Sequence, residues 1–194
     1  GKIFISNYYG IEKKDKGIYY LTLAANQNNS EAQYYLGIIY STNEYTKQDM
    51  EKAIHYFTLA ANQNNTDALF NLAVIYEKGK YAKRNIEKSM HYYTLAAKLN
   101  DQQSMINLAI LYISKEHIQQ DINKGIYYFT LAANKNNSDA QFCLGFVYLL
   151  EEFSVYNAKK GLYYILLASN NNNRKANFIH AYFLNKRDVS CVTC

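Results

Sequence analysis

The chain has 194 residues, of which 49% are hydrophobic, and its 21 basic and 16 acidic side chains leave a net charge of +5. That composition is too apolar for a disordered segment, and no Lys/Arg stripe supplies the footprint of a nucleic-acid binder. Three cysteines give no disulfide framework, so a reducing, cytoplasmic setting is expected, with the secretory pathway as the alternative if an N-terminal signal precedes this sequence.

In chain order, residues 1–29 read as part of a unit. A shift of 36 positions puts Gly1 in the column of Gly37 and Phe4 in that of Tyr40, so the sequence opens inside a helix. The first helix then carries Ala24-Ala25, and the same small pair returns at Ala60-Ala61, Ala96-Ala97, Ala132-Ala133 and, as Ala168-Ser169, once more, always 36 residues on. A fixed period of about 20 to 50 residues marks stacked supersecondary units that bury their apolar faces only against neighbours. The expected organisation is a single array over 1–190: a partial repeat at 1–29, repeats at 30–65, 66–101, 102–137 and 138–173, a final helix at 174–185, and a tail at 186–194.

Each unit reads as two amphipathic helices. In the first, Ala53, Phe57 and Ala60 recur at helical spacing; in the second, Ala68, Leu72, Ile75 and Tyr76 share a face, and the chain has no proline to break either. The second class is expected at 30–41, 66–78, 102–114, 138–150 and 174–185. Ser30, Thr66 and Ser138 are the expected N-caps of that class and Asp49 and Asp121 of the other, while the Asn pairs 28–29, 64–65 and 136–137 suit a tight turn. The column Gly37, Ala73, Ala109, Gly145 and Ala181 stays small where helices must approach closely. Arg174, Lys175, Lys186 and Arg187 give the last helix the expected polarity of a solvated cap.

Several features invite chemistry and are better explained otherwise. The apolar run at 142–150 is about half of the ~20 residues that cross a bilayer, so no membrane span is expected. Cys191-Val192-Thr193-Cys194 has the form of a prenylation signal at Cys191, but Thr193 and a terminal Cys fit it poorly. His55 and His91 sit one repeat apart with no carboxylate column, which favours packing over metal binding. Asn28, Asn64 and Asn136 each begin N-x-S/T, a glycosylation sequence only in a secreted chain. No catalytic residue, cofactor or metal is expected. With 21 Tyr and no Trp, the tyrosines divide into a fixed column (Tyr40, Tyr76, Tyr112, Tyr148), read as core edge, and variable ones (Tyr34, Tyr35, Tyr45, Tyr81, Tyr156), read as contact anchors.

The pattern A-x-x-x-L-G-x-x-Y, a loop, then K-A-x-x-Y-x-x-A-A is carried by Ala32, Leu36, Gly37 and Tyr40, by Lys52, Ala53, Tyr56, Ala60 and Ala61, and by Ala140, Leu144, Gly145 and Tyr148. It resembles the Sel-one-like repeat family, a relative of the tetratricopeptide repeats, over almost the whole chain. The resemblance implies an all-α fold: an α-solenoid, a right-handed superhelix of antiparallel helix pairs with a 36-residue period. It also implies a concave face, lined by the second helix class, that holds other proteins.

The function expected from this resemblance is a non-catalytic adaptor that binds a protein or peptide segment. The alternative is the regulatory or targeting arm of a larger enzyme such as a kinase or a ubiquitin-ligase assembly, and an RNA reader is disfavoured. The binding surface is expected in columns that vary between repeats: Gln33, Leu69, Met105, Gln141 and Asn177; Tyr34, Phe70, Ile106, Phe142 and Phe178; and Tyr35, Asn71, Asn107 and Cys143.

Overall fold

In the computed structural model, residues 11–115 and 120–191 are described, with the backbone alone for 11–13 and 184–191. The expectations for Gly1 and Phe4 and for the tail motif ending at Cys194 therefore lie outside the described residues or side chains. Among those described, every regular element is a helix: α1 (Ile11–Asn26), α2 (Ser30–Ser41), α3 (Met50–Ala61), α4 (Thr66–Lys78), α5 (Ile86–Lys98), α6 (Gln102–Ile113), α7 (Ile122–Ala133), α8 (Ser138–Leu149), α9 (Ala158–Asn170) and α10 (Arg174–Cys191). The odd-numbered helices are the first class and the even-numbered the second. α10 is longer than its expected span of 174–185.

The chain divides into two compact units, Gly1–Asn100 and Asp101–Cys194. Within each unit consecutive helices pack on one another. In the first, Ala53, Phe57, Ala60, Ala68 and Leu72 are closed from solvent, with Leu21, Ala25, Leu36 and Ile39 forming a second cluster. In the second, Phe129, Ala132, Leu144, Ile165 and Ala168 play the same part. The small column does what close approach demands. A methyl on Gly145 would stand 2.9 Å from the Gly161 carbonyl oxygen, so the α8 and α9 backbones touch there, and one on Gly37 would strike the Phe57 ring.

Two connections alternate, each with constant chemistry. At the short one, Asn28, Asn64, Asn100, Asn136 and Asn172 all adopt the left-handed conformation, with φ between 59° and 70°. The Asn29, Asn65, Asn137 and Asn173 amides donate to carbonyls five residues back, at Ala24, Ala60, Ala132 and Ala168, closing a Schellman turn. The caps differ from the expectation by one residue. Asn29, Asn65 and Asn137, not Ser30, Thr66 and Ser138, are extended and accept from the amides of Ala32, Ala68 and Ala140 at 2.9 to 3.0 Å. The second Asn thus leaves one turn and starts the next helix, and the hydroxyl residue is already helical.

At the longer connection Asp49 and Asp121 cap as expected, and Asn85 and Asn157 do the same work. Each of these residues donates its own backbone N–H to the carbonyl of Tyr40, Tyr112, Tyr76 or Tyr148, nine residues earlier, at 2.8 to 2.9 Å. The accepted backbone hydrogen bonds hold the Asp49 and Asp121 carboxyls below the usual carboxylate range.

Candidate functional site

The variable columns of the second helix class divide sharply by burial. Gln33 is 2% exposed and Gln141 is closed to solvent. Gln33 Nε2 donates to the Ala25 carbonyl at 3.2 Å, and its Oε1 accepts from Gln63 Nε2 at 2.8 Å. Gln141 repeats this with the Ala133 carbonyl at 3.2 Å and Asn171 Nδ2 at 2.8 Å. These amides tie a second-class helix to the helix before it and to the turn after the next one. Leu69, Met105 and Ile106 are likewise buried, so all five are occupied by the frame and offer a partner no side-chain surface.

Tyr34 and Phe70 are half-buried, against the Phe57 ring at 6.0 Å and the Tyr93 ring at 5.9 Å. Tyr35 (46% exposed), Asn71, Asn107, Phe142, Cys143, Asn177 and Phe178 (78% exposed) retain surface. Of the tyrosines read as anchors, Tyr81 and Tyr156 are exposed, whereas Tyr45 is half-buried with Lys14 Nζ 5.4 Å from its ring. Of the basic end expected as a solvated cap, Arg174 and Lys175 are exposed, and the side chains of Lys186 and Arg187 lie outside those described; α10 also exposes Phe178, Tyr182 and Phe183.

The exposed part of this surface has a focus inside the second unit. An apolar groove of about 270 Å³ opens between α6 and α8, walled by Ile110 and Ile113 on one side and Phe142, Cys143 and Phe146 on the other, with Phe129 of α7 contributing to its lining. Ile110 and Phe146, each in the last third of its helix, are 49% and 45% exposed and together leave apolar surface open at the groove. The Phe142 and Phe146 rings lie 6.1 Å apart and 20° from parallel. Burial, helped by Asp139, pushes the Cys143 thiol up to about 11. It stays protonated and serves as apolar wall, not as nucleophile. The sequence reading found Phe142 and Cys143 but missed Ile110 and Phe146, because their column (Ile38, Val74, Ile110, Phe146) reads as core.

A second regularity also escaped the sequence reading. Tyr40 stacks on Tyr56, Tyr76 on Tyr92, Tyr112 on Tyr128 and Tyr148 on Tyr164, with centroids 5.8 to 6.2 Å apart and planes within 11° of parallel. Lys52, Lys88, Lys124 and Lys160 place their ammonium groups 5.1 to 5.5 Å from the first ring of each pair. The fixed tyrosine column is therefore a cation–π and stacking seam that joins each second-class helix to its successor. His55 and His91 are exposed, edge-on to Tyr56 and Tyr92. No cluster of three or more potential metal ligands occurs among the described residues. Asn28 of the first N-x-S/T sequence accepts through Oδ1 from Gln33 and Gln63. Among the described residues no helix is long and apolar enough to cross a membrane.

With this geometry in hand, the comparisons are specific. The family model described as Sel1 repeat matches residues 6–29, 30–65, 66–101, 102–137 and 138–173. The last four of these segments are each 36 residues long, the period read from the sequence. Among solved structures, the chain is similar to a Sel1 repeat protein from Oxalobacter formigenes, with 26% identity and a TM-score of 0.72 over 84% of this chain and 66% of that one. It is also similar to a protective antigen with an SLR fold present in uropathogenic Escherichia coli strains, with 24% identity and a TM-score of 0.80 over 89% of this chain and 37% of that one. A third is Helicobacter pylori cysteine rich protein B, at 22% identity and a TM-score of 0.52, over 70% of this chain and 97% of that one. The chain thus spans less than two thirds of the first two. A comparison with curated proteins finds no match.

Proposed function

The chain belongs to the Sel1 repeat family, whose members are generally non-catalytic helical-repeat scaffolds that bind proteins, and from that membership we propose that it holds a partner protein along its second-class helices. The apolar groove between α6 and α8 takes an apolar side chain of the bound segment, and Asn107 and Asn177 supply polar contacts from the same helix class within that unit; in the first unit Tyr35 and Asn71 are the exposed positions of that class. The observation that carries this reading is the exposure of Ile110 and Phe146 over a cavity of about 270 Å³, large enough to accept one bulky side chain.

Partner capture from the source cells tests the reading, with three baits matched for folding by circular dichroism: the unmodified chain, Ile110→Glu/Phe146→Glu, and Tyr163→Ser. Tyr163 is 60% exposed on a first-class helix and serves as the control. The unmodified and Tyr163→Ser chains should recover the same protein and the groove variant should lose it; equal recovery by all three would remove the groove from the proposal. The narrower alternative, a targeting arm for a kinase or ubiquitin ligase, gains support only if that activity accompanies the captured complex. A reducing compartment belongs to the same proposal and suits a free thiol at Cys143.

A further inference from the structure

The two ends of the groove between α6 and α8 differ in charge. Beside the loops that follow these helices, where Ser114 and Leu150 line it, the Lys115 ammonium and the Glu152 carboxylate pair at 3.0 Å, so the cation there is already matched. At the other end, Lys175 of α10 places its Nζ 5.9 Å from the centre of the Phe142 ring, which walls the groove and stacks on Phe146. The same charge reaches the Cys143 thiol in that wall, where it opposes the upward push of burial and Asp139. Among the described residues no carboxylate forms an ion pair with Lys175. Asp139 is engaged elsewhere, its Oδ1 accepting from Asn173 Nδ2 at 2.8 Å, and α6 carries no charged side chain from Gln102 to Ile113.

Lys175 also departs from its own column. The equivalent positions are Glu31, Asp67, Gln103 and Asp139, acidic or neutral in every other repeat. Glu31, Asp67 and Gln103 are exposed although further helices follow them, and Asp139 is half-buried. The exposure of Lys175 therefore belongs to its position on the helix, and what distinguishes it is its charge.

We infer that Lys175 determines the specificity of the groove, and that the bound segment carries an aspartate or glutamate beside the large apolar side chain that enters between Ile110 and Phe146. This rests on the groove being the binding surface and names the class of segment it takes. An ammonium on a flexible stem keeps its ring contact while donating to a carboxylate, and apolar walls that exclude water on one side strengthen the pair relative to open surface. A basic segment would meet repulsion from Lys175 and from the exposed Arg174 beside it.

A display library of short random peptides, selected on the full chain, on Lys175→Glu and on Ile110→Glu/Phe146→Glu, tests the inference. The unmodified chain should enrich peptides in which Asp or Glu neighbours Phe, Leu or Met. Lys175→Glu should keep the apolar choice and replace the acid with Lys or Arg. It should also bind the original peptides about tenfold more weakly, because reversal removes an attraction and adds a repulsion. The groove variant should enrich neither set, and circular dichroism confirms that each bait is folded. An acid preference that Lys175→Glu leaves unchanged, or apolar peptides with no charge preference, would overturn the role of Lys175 while the groove stood. Selection that the groove variant leaves intact, or failure of the unmodified chain to enrich any sequence, would overturn both. Sedimentation equilibrium of the chain alone supplies the remaining outcome: self-association abolished by Ile110→Glu/Phe146→Glu would make the occupant a second copy, contrary to the acidic segment inferred.

Discussion

Ser89 and Ser104 show how finely the frame is set at single positions. Ser89 replaces the small residue that is Ala53, Gly125 or Gly161 in other repeats, and Ser104 replaces Ala32, Ala68, Ala140 or Ala176. Both are fully buried, and neither hydroxyl finds a hydrogen-bond partner. An unsatisfied buried hydroxyl carries its desolvation cost uncompensated. Ser89→Ala and Ser104→Ala should each raise stability by roughly 1 kcal/mol in urea denaturation, and a fall in the urea midpoint for either would mean that its hydroxyl has a partner. Gln33 and Gln141 teach the opposite lesson about reading single residues. In the sequence they look like variable, polar, surface-seeking side chains, and periodicity alone puts them beside the groove. The partners that bury them, Gln63 and Asn171, lie 30 residues on, a distance at which one sequence carries no visible coupling. Substitutions there would report on stability and not on recognition.

At the scale of the element, the helices, their classes and their period were legible because apolar spacing repeats with no insertion, while the caps were displaced by one position. Asn-Asn-Ser and Asn-Asn-Thr offer three consecutive residues that all cap well, and local chemistry does not choose among them. The choice is made by the left-handed Asn, which obliges its successor to be extended and so to present the capping oxygen. Asn65→Ala should therefore cost about 1 kcal/mol while Thr66→Ala, at a helical position, is close to neutral; thermal melts of the two variants compare them directly, and a larger loss at Thr66 would restore the hydroxyl as cap. The tyrosine seam was half legible. The column Tyr40, Tyr76, Tyr112 and Tyr148 stood out, but its partners in the next helix and the lysines above it lie across a loop whose path the sequence does not give.

For the whole molecule, three of the four stacked pairs tie stability to alkaline pH. Burial and the adjoining phenols of Tyr40, Tyr76 and Tyr148 raise the ionisation of Tyr56, Tyr92 and Tyr164 above the ordinary tyrosine value, and Tyr163 adds to the effect on Tyr164 while Lys52 opposes it on Tyr56. The fold therefore favours the protonated phenols. Their contribution is fully present below the unfolded value of about 10 and is lost as pH rises through the higher folded values. Denaturant midpoints should hold steady from neutral pH to about 9 and then decline, and a Tyr56→Phe/Tyr92→Phe/Tyr164→Phe chain should decline less; identical profiles would assign the loss to other groups. The fold class was fully legible at this scale because repetition multiplies a weak signal five times over. The groove was not, since Ile110 and Phe146 differ from core residues only in what fails to cover them.

The five left-handed asparagines have one more consequence, for how such a chain changes over time. Because every short joint has the same backbone conformation and the same spacing, any unit running from one such asparagine to the next is flanked by ends that match those of its neighbours. A duplication or deletion of 36 residues in that register leaves each remaining cap and turn intact. Array length can then vary in whole steps, independently of the side chains that select a partner.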